Sequence, residues 1–222
     1  MSGRDAILGG IRAALGRKTD DLARRATVEE RLTRHPRGLV PARGQIPPAE
    51  QVELFTTMAR EAACTVQPLA ALEEVPAAVA DYLAGLNLPA ELRVAPDPGL
   101  DAIPWHARPT LTVSRGPARD ADAVSVTGAF AGVAETGTLM LASGPGHPTT
   151  LNFLPDTHIV VLRRDRVTGT YEDAWDRLRA ELGDVPRTVN FVTGPSRTGD
   201  IEQTIQLGAH GPRRLHILLV GG

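Results

Sequence analysis

At 222 residues the chain can hold one sizeable α/β core plus a short helical extension, without a second full domain. Its 24 basic and 26 acidic side chains leave a net charge of -2, so the overall balance gives no case for nucleic acid or an anionic membrane as partner. A lone cysteine, Cys64, excludes an internal disulfide and any cysteine-ligated iron–sulfur cluster or zinc ribbon held by this chain.

No apolar run approaches the roughly 20 residues that span a bilayer. Asp5 and Arg12 interrupt the first apolar stretch, where a signal core would lie, and the expectation is a cytoplasmic protein. Two Trp, two Tyr and four Phe are too few for the stacking platform of a single-strand binder, which leaves a small molecule as the expected ligand class.

The first predicted element is a short amphipathic helix. Ser2 can cap it, Ile7, Leu8, Ile11 and Leu15 fall on one stripe, and Gly16 suits its end. Residues 19–34 are crowded with charge and carry few apolar positions beyond Leu22, Val28 and Leu32, which reads as a solvated helix or arm. Residues 35–48 hold four prolines and two glycines in fourteen positions, too much punctuation for a regular element. The chain therefore divides into an arm and linker, 1–48, and an α/β domain, 49–222.

Helical and strand-like segments alternate beyond that point. Residues 49–63 read as a helix with Val52, Phe55, Ala59 and Ala62 on one face. A strand at 65–69 and a helix at 72–86 follow, with Pro76 in the first turns of that helix. Strands are expected at 92–95, 111–113, 123–127, 138–142, 159–162, 188–192 and 215–220. Runs such as Ile159, Val160, Val161 and Leu162 are continuously apolar, as in strands buried on both faces of a mostly parallel sheet. Residues 171–182 read as a helix with a capping-box-like start at Thr170 and Asp173, Trp175, Leu178 and Leu182 on one face, and Gly183 at its end.

Three segments carry groups capable of chemistry. In residues 126–141, two strand-like runs flank a loop. Its Gly128, Gly132 and Gly137 permit positive φ angles or close approach to a ligand, Thr136 and Thr138 offer hydroxyls, and Glu135 sits beside the turn. Glu135 can serve as nucleophile, base or acceptor for a ligand hydroxyl, or simply accept backbone N–H bonds within the turn. In residues 191–202 a strand runs into a Gly/Ser/Thr loop and then an expected short helix. That helix N-terminus, with Arg197, Ser196 and Thr198, suits a phosphate or carboxylate, unless Thr198 or Asp200 only caps it. The spacing is that of neither a Walker A loop nor a dinucleotide fingerprint.

The third segment, 207–212, places His210 between small residues at a loop, able to exchange protons near neutral pH or to be merely structural. His147 in Gly-Pro-Gly-His-Pro is a weaker candidate. His35, His106, His147, His158, His210 and His216 show no ligand spacing, so no metal is expected, and no Gly-x-Ser-x-Gly turn supports a hydrolase triad.

Taken in order, Ala134-Glu-Thr-Gly-Thr138, Leu154-Pro155 followed by His158-Ile159, Gly194-Pro-Ser-Arg-Thr-Gly-Asp-Ile-Glu202 and Gly208-Ala-His-Gly-Pro212 resemble the LUD-domain family, in particular its lactate-utilisation C subunits. The resemblance implies a three-layer α/β/α fold with a mostly parallel sheet, similar to the NagB/RpiA/CoA-transferase group. It implies a part in oxidising L-lactate to pyruvate beside two iron–sulfur partner proteins, whose clusters would carry the electrons while this chain binds no cofactor. The residues it marks are Glu135, Thr136, Gly137 and Thr138, then Gly194, Ser196, Arg197, Thr198, Asp200 and Glu202, then His210. Of these, Glu135 and His210 are the catalytic candidates and the others the ligand-binding ones. The chain then either binds a small carboxylate or organises the cluster-bearing subunits. An acyl or CoA-transferase-like enzyme with Glu135 as nucleophile is the alternative, and a regulatory reading has the polar arm, 19–34, docking on a partner.

Overall fold

The computed structural model describes residues 3–16, 22–199, 205–208 and 210–221, which form two compact units, Met1–Leu39 and Val40–Gly222. The first unit contains helices α1 (Gly3–Ala14) and α2 (Leu22–Arg34), neither of which buries a residue. Ile7, Ile11 and Leu15 form the expected stripe and are exposed, as are Leu22, Val28 and Leu32. Gly16, at φ +60°, follows the end of α1, while Ser2 and residues 19–21 lie outside the described residues.

The second unit opens with a 3-10 turn, Ala42–Gly44, and helix α3 (Pro48–Glu61). Pro48 occupies the first turn of α3, where a missing N–H leaves no helical bond unmade. There follow β1 (Thr65–Leu69), a 3-10 turn at Leu72–Glu74, α4 (Val75–Gly85), β2 (Glu91–Val94), β3 (Thr112–Arg115), β4 (Val124–Gly128), β5 (Ala131–Val133) and β6 (Thr138–Ala142). The chain continues through α5 (Thr150–Phe153), β7 (Thr157–Arg163), β8 (Val167–Thr168), α6 (Tyr171–Leu182), β9 (Val189–Val192), β10 (Arg197–Gly199), β11 (Ile205–Leu207) and β12 (Arg214–Val220).

Six strands pair in parallel in the order β1-β12-β7-β4-β2-β3. The continuous apolar runs lie at its centre because both faces are covered. Ile159 and Val161 of β7 meet Val75, Val79 and Leu83 of α4, whereas Val160 and Leu162 join Phe55 and Ala59 of α3. This is the expected α/β architecture, with helices on both sides of a parallel sheet.

A second sheet, β8-β5-β6-β9, thickens the α3 side. Leu139 and Leu141 of β6 face the large sheet, while Ala131, Val133 and Met140 turn the other way, under Ala174 and Leu178 of α6. Strand β5 falls inside the stretch expected to be loop. Its three residues are Ala-Gly-Val, and Gly132 marks a tight contact rather than a turn: a Cβ there would come within 2.8 Å of Leu162 and 3.0 Å of the Phe55 ring.

The segment after Gly194 also differs from expectation. Arg197–Gly199 pairs antiparallel with Ile205–Leu207, so the described residues on either side of the expected short helix are strand, while residues 200–204 lie outside the described residues. Pairing with each other satisfies backbone groups of both strands.

Two histidines are buried in neutral form. Burial lowers His158 to about 3, and it lowers His216, stacked on Tyr82 with ring centroids 3.9 Å apart, to about 4. Both values lie below the roughly 6.5 of an unfolded histidine, so the unfolded chain binds the extra protons. The stability this carries is intact above pH 6.5 and is lost as pH falls from there towards 4 and 3. Each site removes about 1.4 kcal/mol per pH unit within that window. Urea titrations at pH 7 and pH 5 are therefore expected to differ by about 2–4 kcal/mol from these two groups, with a smaller difference in His158→Gln. Equal stability at the two pH values would contradict it.

Candidate functional site

The turn joining β5 to β6 carries the first candidate set. Ala134 and Glu135 donate their backbone N–H groups to the Thr168 and Gly169 carbonyls, at 2.8 and 3.1 Å, which continues the β5–β8 ladder through the turn. Glu135 is 3% exposed, and its carboxylate accepts the Tyr171 backbone N–H at 3.0 Å. Thr170 caps the same helix start, accepting the Asp173 N–H at 3.2 Å. A buried carboxylate at the positive end of α6 thus makes the backbone N–H bond that was the most local of the roles open to it from sequence.

Beside it lies a chain of hydroxyls. Thr136 donates to the Tyr171 hydroxyl at 2.9 Å and bonds Thr138 at 2.7 Å; Thr138 in turn bonds Tyr171 at 2.9 Å and Thr193 at 2.6 Å. Thr193 immediately precedes the second candidate set, so the two loops meet here. They also share a support. A Cβ on Gly137, at φ +64°, would overlap the Ala59 backbone of α3, and one on Gly194, at φ +81°, would overlap the Ala62 carbonyl. Both glycines serve close approach to protein backbone.

Ser196 ties the second set to the third. Its N–H donates to the Pro212 carbonyl at 2.8 Å, its carbonyl accepts from Gly208 at 2.9 Å, and its hydroxyl accepts the His210 N–H at 3.3 Å. These residues frame a cavity of about 280 Å³ between the two sheets, lined by Ser196, Arg197, His210, Thr193, His158 and Phe191 among others. Arg197 is exposed and donates to the Ala62 carbonyl at 3.2 Å, and among the described residues it has no carboxylate partner. The His158 ring bonds the buried Thr127 hydroxyl through Nε2 at 2.8 Å, while Nδ1 is buried with no hydrogen-bond partner among the described residues. Cys64 abuts this region and is chemically quiet, since burial pushes its thiol up to about 11.

The structure therefore brings Gly194, Ser196, Arg197 and His210 around one cavity and places Glu135, Thr136, Gly137 and Thr138 in the scaffold beside it. The Thr198 side chain, Asp200 and Glu202 lie outside the described residues. His158 escaped the sequence reading as a site residue because a histidine at the start of an apolar run looks like core. A larger crevice of about 490 Å³ opens at the carboxyl ends of β2, β4 and β7; of the site residues singled out from sequence it holds Gly128 and the weaker candidate His147. Among the described residues, no group of three or more His, Cys, Asp or Glu side chains is arranged to hold a metal, and no helix is long and apolar enough to cross a membrane.

Comparison with known proteins supports this architecture from outside. The LUD domain model matches residues 114–220, from the β3 edge of the large sheet to β12. A Lactate utilization protein C from Deinococcus radiodurans is 34% identical over 161 residues, covering 67% of this chain and 69% of that relative. The chain belongs to the LUD domain family. The crystal structure of a DUF162 family protein, also from Deinococcus radiodurans, superposes with a TM-score of 0.61 at 27% identity, over 79% of this chain and 99% of that one. A Lactate utilization protein C from Geobacillus is 35% identical over 100 residues, and the match spans only 42% of its length. All three candidate loops of this LUD domain fall inside the matched stretch.

The anchor role of Glu135 is directly testable. Glu135→Gln keeps an oxygen for the Tyr171 N–H and is expected to change the unfolding free energy by under about 1 kcal/mol, whereas Glu135→Ala leaves that group unpaired and costs about 1–3 kcal/mol. Denaturant titration of both variants checks this; equal losses would argue against the cap.

Proposed function

We propose that this LUD domain is the cluster-free member of a lactate-utilisation system and binds a small carboxylate, lactate or pyruvate, in the cavity framed by Ser196, Arg197 and His210. The single observation that carries the site is the Arg197 guanidinium, free of acidic partners among the described residues, at the rim of a cavity reaching the buried His158. A guanidinium presents paired N–H donors that match a carboxylate, and charge-assisted bonds of this kind are the strong ones. His158, kept neutral by burial, supplies its second ring nitrogen to the ligand's 2-hydroxyl or 2-keto oxygen.

The relatives named Lactate utilization protein C support the process, and the single cysteine motivates the proposed division of labour. Electrons from lactate then pass to iron–sulfur partner subunits, and this chain supplies binding and orientation. The acyl-transfer alternative draws no support from Glu135, whose carboxylate faces the α6 backbone.

Titration calorimetry with L-lactate and pyruvate tests the site. Binding is expected in the unaltered protein, with a loss of about tenfold or more in Arg197→Ala, since a charged hydrogen bond contributes about 1.5–3 kcal/mol. Deleting the gene in a strain without a second lactate oxidase is expected to abolish growth on L-lactate. Normal growth, or affinity unchanged by Arg197→Ala, would remove the proposal.

A further inference from the structure

The larger crevice has a chemistry unlike that of the Arg197 cavity. In the parallel sheet the chain moves outward from β2 to β3, then returns through β4, β7 and β12, so its direction reverses between the neighbours β2 and β4. Open parallel sheets bind ligands at such a switch point, beyond the carboxyl ends of the strands. Here Asp97 follows β2 and faces Gly128 at the end of β4, where a Cβ would lie 2.6 Å from Asp97 Oδ2. Asp97 Oδ1 accepts the Gly99 N–H at 2.8 Å. Oδ2 stands 3.7 Å from His147 Nε2, too far for a direct hydrogen bond.

His147 is held in place by its own turn. It exchanges backbone bonds with Gly144 at 3.0 and 3.3 Å, and a Cβ on Gly146 would sit 3.3 Å from the Pro96 carbonyl. Leu72, Leu100 and Phe130 give the crevice apolar walls. The guanidiniums at its rim already have acidic partners: Arg163 bonds Asp165 at 2.9 Å and Arg166 bonds Glu181 at 2.6 Å. Thr127, Ser143 and Asn152 also line the crevice, and its floor carries the open Asp97 carboxylate oxygen, which accepts a hydroxyl and disfavours an anion, with the His147 imidazole beside it as a second hydroxyl partner.

We propose that this crevice is a second ligand site, for the ribose diol of a ribonucleoside or ribonucleotide. The diol bonds Asp97 Oδ2 and His147, the base lies against the apolar walls, and any phosphate points to the rim. The volume, about 490 Å³, suits a ligand of that size and far exceeds a three-carbon acid. Asn152 lines both this crevice and the carboxylate cavity, but Asp97 and His147 belong to the crevice alone, so the assignment stands or falls without the carboxylate reading.

Titration calorimetry of the full chain with AMP, adenosine, 2′-deoxyadenosine and free ribose tests the assignment. AMP and adenosine are expected to bind, with 2′-deoxyadenosine and ribose at least tenfold weaker. Asp97→Asn, which keeps an acceptor for the Gly99 N–H, and Gly128→Ala, which crowds Oδ2, are each expected to weaken adenosine at least tenfold, while Arg197→Ala leaves it unchanged. No binding of AMP or adenosine at millimolar concentration, ribose as tight as adenosine, or wild-type affinity in Asp97→Asn would overturn it.

Discussion

Everything distinctive in the second unit hangs on the last turn of α3. Gly137 and Gly194 bring two loops from different strands against the backbone of Ala59 and Ala62, closer than any side chain would allow. The Arg197 guanidinium takes the Ala62 carbonyl as well. Helix carbonyls in a final turn lack intrahelical partners, so this contact satisfies an acceptor while fixing the arginine beside its cavity. Cavity shape, loop position and the hydroxyl chain from Thr136 to Thr193 all follow from that one docking.

The same constraint separates polar groups that are used up within the protein from polar groups that face a cavity. Glu135, Thr136 and Thr138 spend their polar atoms on the α6 start, on Tyr171 and on each other, which locks the small sheet to its outer helix. Ser196 and His210 are held by backbone bonds across a cavity instead, leaving the imidazole of His210 exposed. Motif density alone does not distinguish these cases, because both loops are rich in Gly and Thr.

Much of the fold was legible because the large sheet is covered on both faces. Its strands then read as continuous apolar runs, and β1, β6 and α6 fall where the residue pattern puts them. What escaped was short or non-local. Strand β5 is three small residues whose pairing depends on β6 and β8, and Gly132 looks like a turn until Phe55 and Leu162 are seen to fill its space. The strand Arg197–Gly199 depends on pairing with Ile205–Leu207, a contact that a local reading of caps does not see. At the site level, Arg197, Ser196 and His210 were visible as types, whereas His158 and Asp97 acquire meaning only from the cavities they line.

In the proposed function, ligand chemistry belongs to the cavity beside Arg197 and the Glu135 turn is structural. Backbone amide shifts recorded by NMR during titration with L-lactate test it most directly. The largest changes are predicted at Ser196, Arg197, His210 and His158, with Glu135, Thr136 and Gly137 nearly still. Changes centred on residues 134–138 would contradict it and return the chemistry to the first loop.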